Sequence, residues 1–271
     1  MKTPVATTAL LVAALRADES KRADRLFEDR FAEALAGDAG RAALQSYRAA
    51  VGASIPIIEV RTRYFDEALL RAQSKGARQF VIVAAGMDAR AYRLAWAAGT
   101  RLFELDQPEI IEAKAEVLAG IDPRCERHPI AVNLAQDWDN LLVSNGFRRE
   151  VPSTWLVEGL LQYLDESVVE RLFAKIDSLA AAGSTLLYDV VGDSLLRAPP
   201  LEATLRYMRE LGAPWIFGSD EPAGLVASRG WDAVVTDPSV IGNEWKRWPF
   251  PAAPAHIPGI PRGYLVEARK R

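Results

Sequence analysis

Apolar residues recur with two different periods along this chain. Up to residue 75 the spacing is helical, punctuated by Gly37, Gly40 and Gly52. Leu10, Leu11, Ala14 and Leu15 share one helical face, which predicts an amphipathic helix over 5–17. Beyond residue 75, short apolar runs alternate with helical stretches. "RQFVIVAA" (78–85) is almost continuously apolar, as expected of a parallel strand covered on both faces. Further strands are predicted at 100–106, 128–134, 153–159, 184–191, 231–237 and 263–270. The helix predicted at 108–120 has Pro108 in its first turn, an inner face of Ile110, Ile111, Lys114, Val117 and Leu118, and Gly120 at its end. Another, at 166–183, carries Ser167 and Glu170 at capping-box spacing. A third is predicted at 221–230, with Pro222 early and Gly230 last.

Strand and helix in alternation predict an α/β fold, a doubly wound Rossmann-like sheet of seven mostly parallel strands. One domain accounts for 1–271: a helical N-terminal cap (1–75), a cofactor-binding core (76–192), a lid insertion (193–217) and the C-terminal part of the sheet (218–271). In such sheets ligands bind outside the carboxyl ends of the strands. The N-terminal helices, 193–217 and 245–262 are the lid elements expected to define the acceptor; Trp215, Phe217, Trp245, Trp248 and Phe250 in the last two suggest an apolar, partly aromatic pocket or packing that pins the loops.

Composition narrows the function. Forty-nine per cent apolar and 25 per cent charged residues suit a soluble globular protein, and the net charge of −3 does not recommend nucleic acid as a partner. No segment reaches the roughly 20 apolar residues of a membrane span. The start loosely imitates a signal peptide, but Pro4, two threonines and the charged stretch after it favour a cytoplasmic protein. Cys125 is the one cysteine, so neither an internal disulfide nor a cysteine metal cluster is available. His128 and His256 are the two histidines, which limits the general bases.

The first strand-to-helix turn, "VIVAAGMDARAYRL" (81–94), is the natural cofactor site. Its glycine is Gly86, and Asp106 stands twenty residues later at the end of the second strand. An acid there is placed to accept from ribose hydroxyls, or to cap the next helix. Glu104 lies on the same side by strand alternation. A turn of Ala84, Ala85 and Gly86 is poorly suited to a pyrophosphate, which needs close backbone approach. It suits a phosphate-free adenosyl cofactor such as S-adenosyl-L-methionine. The amino-acid end of that cofactor needs a guanidinium, from Arg61 or Arg63, and an acceptor, for which Glu158 is placed. Asp88 reads as a helix N-cap, and Arg90 and Arg93 as partners for nearby acids.

"FVIVAAGMDARAYRL", "FELDQPEIIEAK" and "WLVEGLLQYLDESVVERLF" together resemble the leucine carboxyl methyltransferase family, in its bacterial branch of S-adenosylmethionine-dependent O-methyltransferases. "TTALLVAALRADESKRADRLFEDRFAEALAG" and the terminal "GYLVEARK" extend the resemblance over nearly the whole chain. It implies that Arg61 holds the methionine carboxylate, that Ala84 and Gly86 occupy the G-x-G turn, and that Asp106 binds ribose. It also implies that Asn133 and Leu134 face the adenine and that Glu158 adjoins the methionine moiety. Ala84 and Asn133 depart from the family's glycine and aspartate. Tyr163 is placed to orient an acceptor oxygen or to pack under the cofactor, and His256 is the candidate base if the acceptor is a hydroxyl. A carboxylate acceptor, already ionised, needs none. The expected activity is methyl transfer to a carboxylate or hydroxyl oxygen of a small-molecule acceptor. The alternatives are a degenerate, non-catalytic member of the fold and a nicotinamide-dependent dehydrogenase.

Overall fold

The computed structural model describes residues 4–52, 55–252, 254 and 260–271. Three helices lead: α1 (Pro4–Ser20), α2 (Ala32–Val51) and α3 (Ile57–Ser74). The sheet elements follow as β1 (Gln79–Val83), α4 (Arg90–Arg93), β2 (Arg101–Asp106), α5 (Pro108–Val117), β3 (Glu126–Ala131), α6 (Asp139–Ser144) and β4 (Thr154–Val157). Then come α7 (Glu166–Leu179), β5 (Thr185–Val191), α8 (Asp193–Leu196), α9 (Glu202–Glu210) and α10 (Gly224–Ala227). β6 (Trp231–Thr236), α11 (Pro238–Glu244) and β7 (Gly263–Lys270) complete the chain.

The seven strands order as β3-β2-β1-β4-β5-β7-β6, parallel except for β7, which pairs antiparallel with both β5 and β6. Strand alternation sends side chains to two separate cores. Phe80, Ile82, Leu102, Leu156 and Leu187 pack under the N-terminal helices, while Val81, Val83, Phe103, Trp155 and Tyr188 pack under α6 and α7. Both faces are covered, which is why β1, β2, β4 and β5 read as apolar runs. The strand order reverses between β1 and β4, and the crevice at that switch point is where this architecture holds ligands.

Several local expectations change. β3 begins and ends earlier than predicted, so Asn133 and Leu134 lie in the loop after it. Helix α7 starts at Glu166, directly after Asp165, with no side-chain cap; the Ser167–Glu170 capping box does not form. Helix α10 is one short turn rather than ten residues. Val117 is 41% exposed, so of the predicted inner face Ile110, Ile111, Lys114 and the C-cap Leu118 are buried and Val117 is not. Of the five lid aromatics, Trp215 alone lines the central cavity. Phe217 is part of the core under α7, Trp245 stacks under Arg63 with its guanidinium 4.2 Å from the ring, and Trp248 packs on Gly242.

Candidate functional site

The strand registers Val83–Leu105, Val83–Val157 and Val157–Tyr188 are in step. They carry Ala84, Asp106, Glu158 and Asp189 to one level at the carboxyl edge of the sheet. A cavity of about 400 Å³ opens there. It is lined by Arg61, Ala84, Gly86, Asp106, Asn133, Leu134, Glu158 and Tyr163, eight of the nine predicted site residues. The ninth, His256, lies outside the described residues. Helix α1 roofs the cavity with Leu11, Val12 and Leu15.

The turn after β1 is bent by two left-handed residues, Ala84 at φ 54° and Gly86 at φ 47°. Glycine adopts this conformation freely, but alanine pays about 1–2 kcal/mol for it. A Cβ at Gly86 would only touch Ala9 of α1, at 3.4 Å, so it is the backbone conformation rather than space that favours glycine there. The turn is held by Asp106, whose carboxylate accepts from the Gly86 amide at 2.6 Å and the Gln107 amide at 2.7 Å. Burial raises the Asp106 carboxyl above its ordinary value, and the two amides oppose that rise. Each oxygen has one amide partner and keeps a lone pair. Glu104 does not share this role. It is fully buried and binds Lys114 at 2.8 Å and Arg127 at 2.7 Å, away from the cavity.

Glu158 is the centre of a buried ionic network. Arg16 donates to it at 2.9 Å, Arg61 at 3.1 Å and Arg90 at 2.6 Å. Burial works against its ionisation, but the three guanidiniums prevail and hold it far below the usual carboxylate range. Arg61 also donates to Asp189 at 2.8 Å, and Asp189 accepts from the Gly159 amide at 2.6 Å. Gly159 has φ 67°, and a Cβ there would meet the Arg61 guanidinium at 3.0 Å, so the arginine lies against bare backbone. Arg90 is wholly buried between Asp66, Asp88 and Glu158, and Arg93 pairs with Asp66. Asp88 accepts the Arg90 amide and clamps the same guanidinium, but the N-cap of α4 is Ala89, one residue later than expected. Arg63 pairs with Glu67 at 2.8 Å and takes no part. Asn133 Oδ1 accepts from the Ala135 amide at 3.0 Å, which leaves one lone pair on that oxygen and its amide group.

Sequence reasoning misses Arg16 and Asp189, and assigns Arg90 no place in the site. Asp189 has a local signal: it is the single acid inside the apolar run "LLYDVV". Arg16 has none, because its partner is 142 residues away.

The leucine carboxyl methyltransferase family model matches residues 9–177. The chain belongs to the leucine carboxyl methyltransferase family. A Parafrankia protein, provisionally named an S-adenosyl-L-methionine-dependent methyltransferase, is 39% identical over 98% of this chain and 87% of its own length. A Mycobacterium tuberculosis protein with the same kind of name is 44% identical over 67% of this chain and 65% of its own length. Among solved structures, a DUF574 family protein from Streptomyces avermitilis superposes with a TM-score of 0.67 over 97% of each chain, at 13% identity. A methyltransferase-named structure from Thermobifida fusca does so at 0.61 over 89% of this chain and 94% of its own, at 19% identity. These two likenesses carry the fold alone; the family match carries the membership. The dehydrogenase alternative falls with it.

Proposed function

We propose that this protein is an S-adenosyl-L-methionine-dependent O-methyltransferase, acting on a carboxylate or hydroxyl oxygen of a small molecule. One observation carries the reading. A single cavity of about 400 Å³ runs from the glycine-poor turn of Ala84, Ala85 and Gly86, with Asp106 at its edge, to the apolar walls of Ile57, Ile58 and Met208.

The donor set fits the cofactor. Asp106 has one lone pair free on each oxygen for two ribose hydroxyls. Leu134 and Asn133 supply an apolar face and an amide for the adenine. Arg61 has no hydrogen bond at Nη2 among the described residues and can donate it to the methionine carboxylate. Glu158 and Asp189 fix that guanidinium, so its orientation is set before any ligand arrives. The cofactor, when bound, supplies a methyl group activated by positive sulfur.

The chain itself aligns the acceptor and excludes water. Leu11, Val12 and Leu15 cover the cavity from above. The carboxylates that line it are Asp88, Asp106, Glu158 and Asp189, and each is engaged by a guanidinium or a backbone amide. None stands free as a base, which suits an acceptor that is already ionised or acidic. Tyr163 lines the cavity and is buried, which raises its phenol above the ordinary value, and our reading gives its hydroxyl the role of orienting the receiving oxygen.

The test is transfer of a labelled methyl group from S-adenosyl-L-methionine to naphthoic acid or naphthol acceptors, followed by mild alkali. A carboxyl ester releases volatile methanol and an ether retains the label. Cofactor binding without turnover on acids and hydroxyls alike would return the reading to a degenerate member of the fold.

A further inference from the structure

The cavity has a second half with a different chemistry. Its walls are Tyr47 from α2, Ile57 and Ile58 from the first turn of α3, Thr204 and Met208 from α9, and Trp215 just beyond. No charged side chain is among them. Among the described residues two basic ones line the cavity, Arg16 and Arg61; both are committed to Glu158, and Arg61 to Asp189 as well. The polar groups of this half are the hydroxyls of Tyr47 and Thr204 and the buried indole N–H of Trp215, all of them uncharged, and burial raises the Tyr47 phenol further above its ordinary value. Next to the lining residues in sequence, Ile55 is 44% and Ile216 54% exposed, so the chain beside this half is apolar on its outer side too.

We infer that the acceptor is an apolar molecule of ring size whose only polar group is the oxygen that receives the methyl, and that a second charge on its body is rejected. The inference rests on the function proposed above and specifies its substrate class. The reason is physical. A charge carried into this half would lose its water and find no countercharge, because Arg16 and Arg61 are paired with Glu158 and Asp189 and the one donor left on Arg61 goes to the cofactor's carboxylate. An apolar ring loses nothing there and gains the burial of its surface. A peptide carboxyl terminus, which brings several amides and flanking charges, is the wrong shape of chemistry for these walls.

Matched probes test this in the presence of S-adenosylhomocysteine, with binding read by calorimetry and by tryptophan fluorescence. The pairs are 2-naphthol against 6-hydroxynaphthalene-2-sulfonate, and 2-naphthoate against naphthalene-2,6-dicarboxylate. At least one singly functional probe is expected to bind, and its doubly functional partner to bind at least about tenfold more weakly. Equal binding within the pairs, or no binding of either single probe at millimolar concentration, overturns the inference. A lysine in the chamber should reverse the preference: in Met208→Lys, or in half-buried Val12→Lys if the first does not fold, the dicarboxylate should gain on the monocarboxylate. An unchanged ratio in a folded variant also overturns it. Titration with S-adenosylhomocysteine alone separates the two claims. If that ligand fails to bind, the function reading fails; if it binds and the probe pairs do not discriminate, only the substrate class does.

Discussion

Removing the charge of Glu158 should destabilise the protein far more than it changes its shape. Glu158→Gln preserves volume but leaves three buried guanidiniums facing a neutral amide. The three are not equally affected. Arg61 keeps Asp189, and Arg90 keeps Asp66 and Asp88. Arg16 loses its ion pair and keeps a hydrogen bond to the Thr62 hydroxyl at 3.2 Å and the longer-range attraction of Asp88 and Asp29. Breaking a buried ion pair by deleting one partner costs about 3–5 kcal/mol, and with one arginine of three left without a direct ion pair the lower end applies, about 3 kcal/mol. For a chain of this size that is a fall in melting temperature of about 5 °C. Urea unfolding followed by tryptophan fluorescence measures it. The attribution to Arg16 has its own check. In an Arg16→Met background the same substitution should cost at least about 1 kcal/mol less, since the stranded charge is gone. A loss under about 1 kcal/mol, or an equal loss in both backgrounds, would refute the reasoning.

Other outcomes follow from single residues. Ala84→Gly relieves the left-handed alanine but loosens the unfolded chain, so a net gain of up to about 1 kcal/mol is expected from denaturant midpoints; a clear loss contradicts the strain. Asp106→Ala removes the proposed ribose acceptor and frees the turn, so affinity for S-adenosylhomocysteine should fall by about ten- to a hundredfold in calorimetry. Glu59 has its carboxyl raised by burial from 4.5 to about 7. The folded state therefore holds a proton that the unfolded chain releases between those values. Its contribution is fully present below pH 4.5 and is lost as pH rises through 7. The stability of wild type relative to Glu59→Gln should drop across that interval, and a flat difference contradicts the burial.

The sequence reveals what is periodic or contiguous. Strands β1, β2, β4 and β5 are legible because both faces are buried, and Gly86 and Asp106 because their spacing follows from the strand–turn–helix unit. β3 is an edge strand whose exposed positions blur its apolar pattern, and its ends are misjudged by two or three residues. α10 is too short to show a helical period. The ionic network around Glu158 is illegible for another reason. Arg16, Arg61, Arg90 and Asp189 come from four separate elements, and no local pattern records which charges meet across a sheet. The lid aromatics mislead because an aromatic in a loop packs inward as readily as it lines a cavity. Ala84 gives no sign of its left-handed backbone, because nothing in an alanine announces it.

The central claim is that the cavity under Gly86 and above Asp106 binds the adenosyl cofactor. Calorimetric titration of the protein with S-adenosylhomocysteine tests it most directly. The account predicts saturable binding with one ligand per chain, weakened in Asp106→Ala. No heat at millimolar ligand, or an affinity indifferent to Asp106, would contradict it.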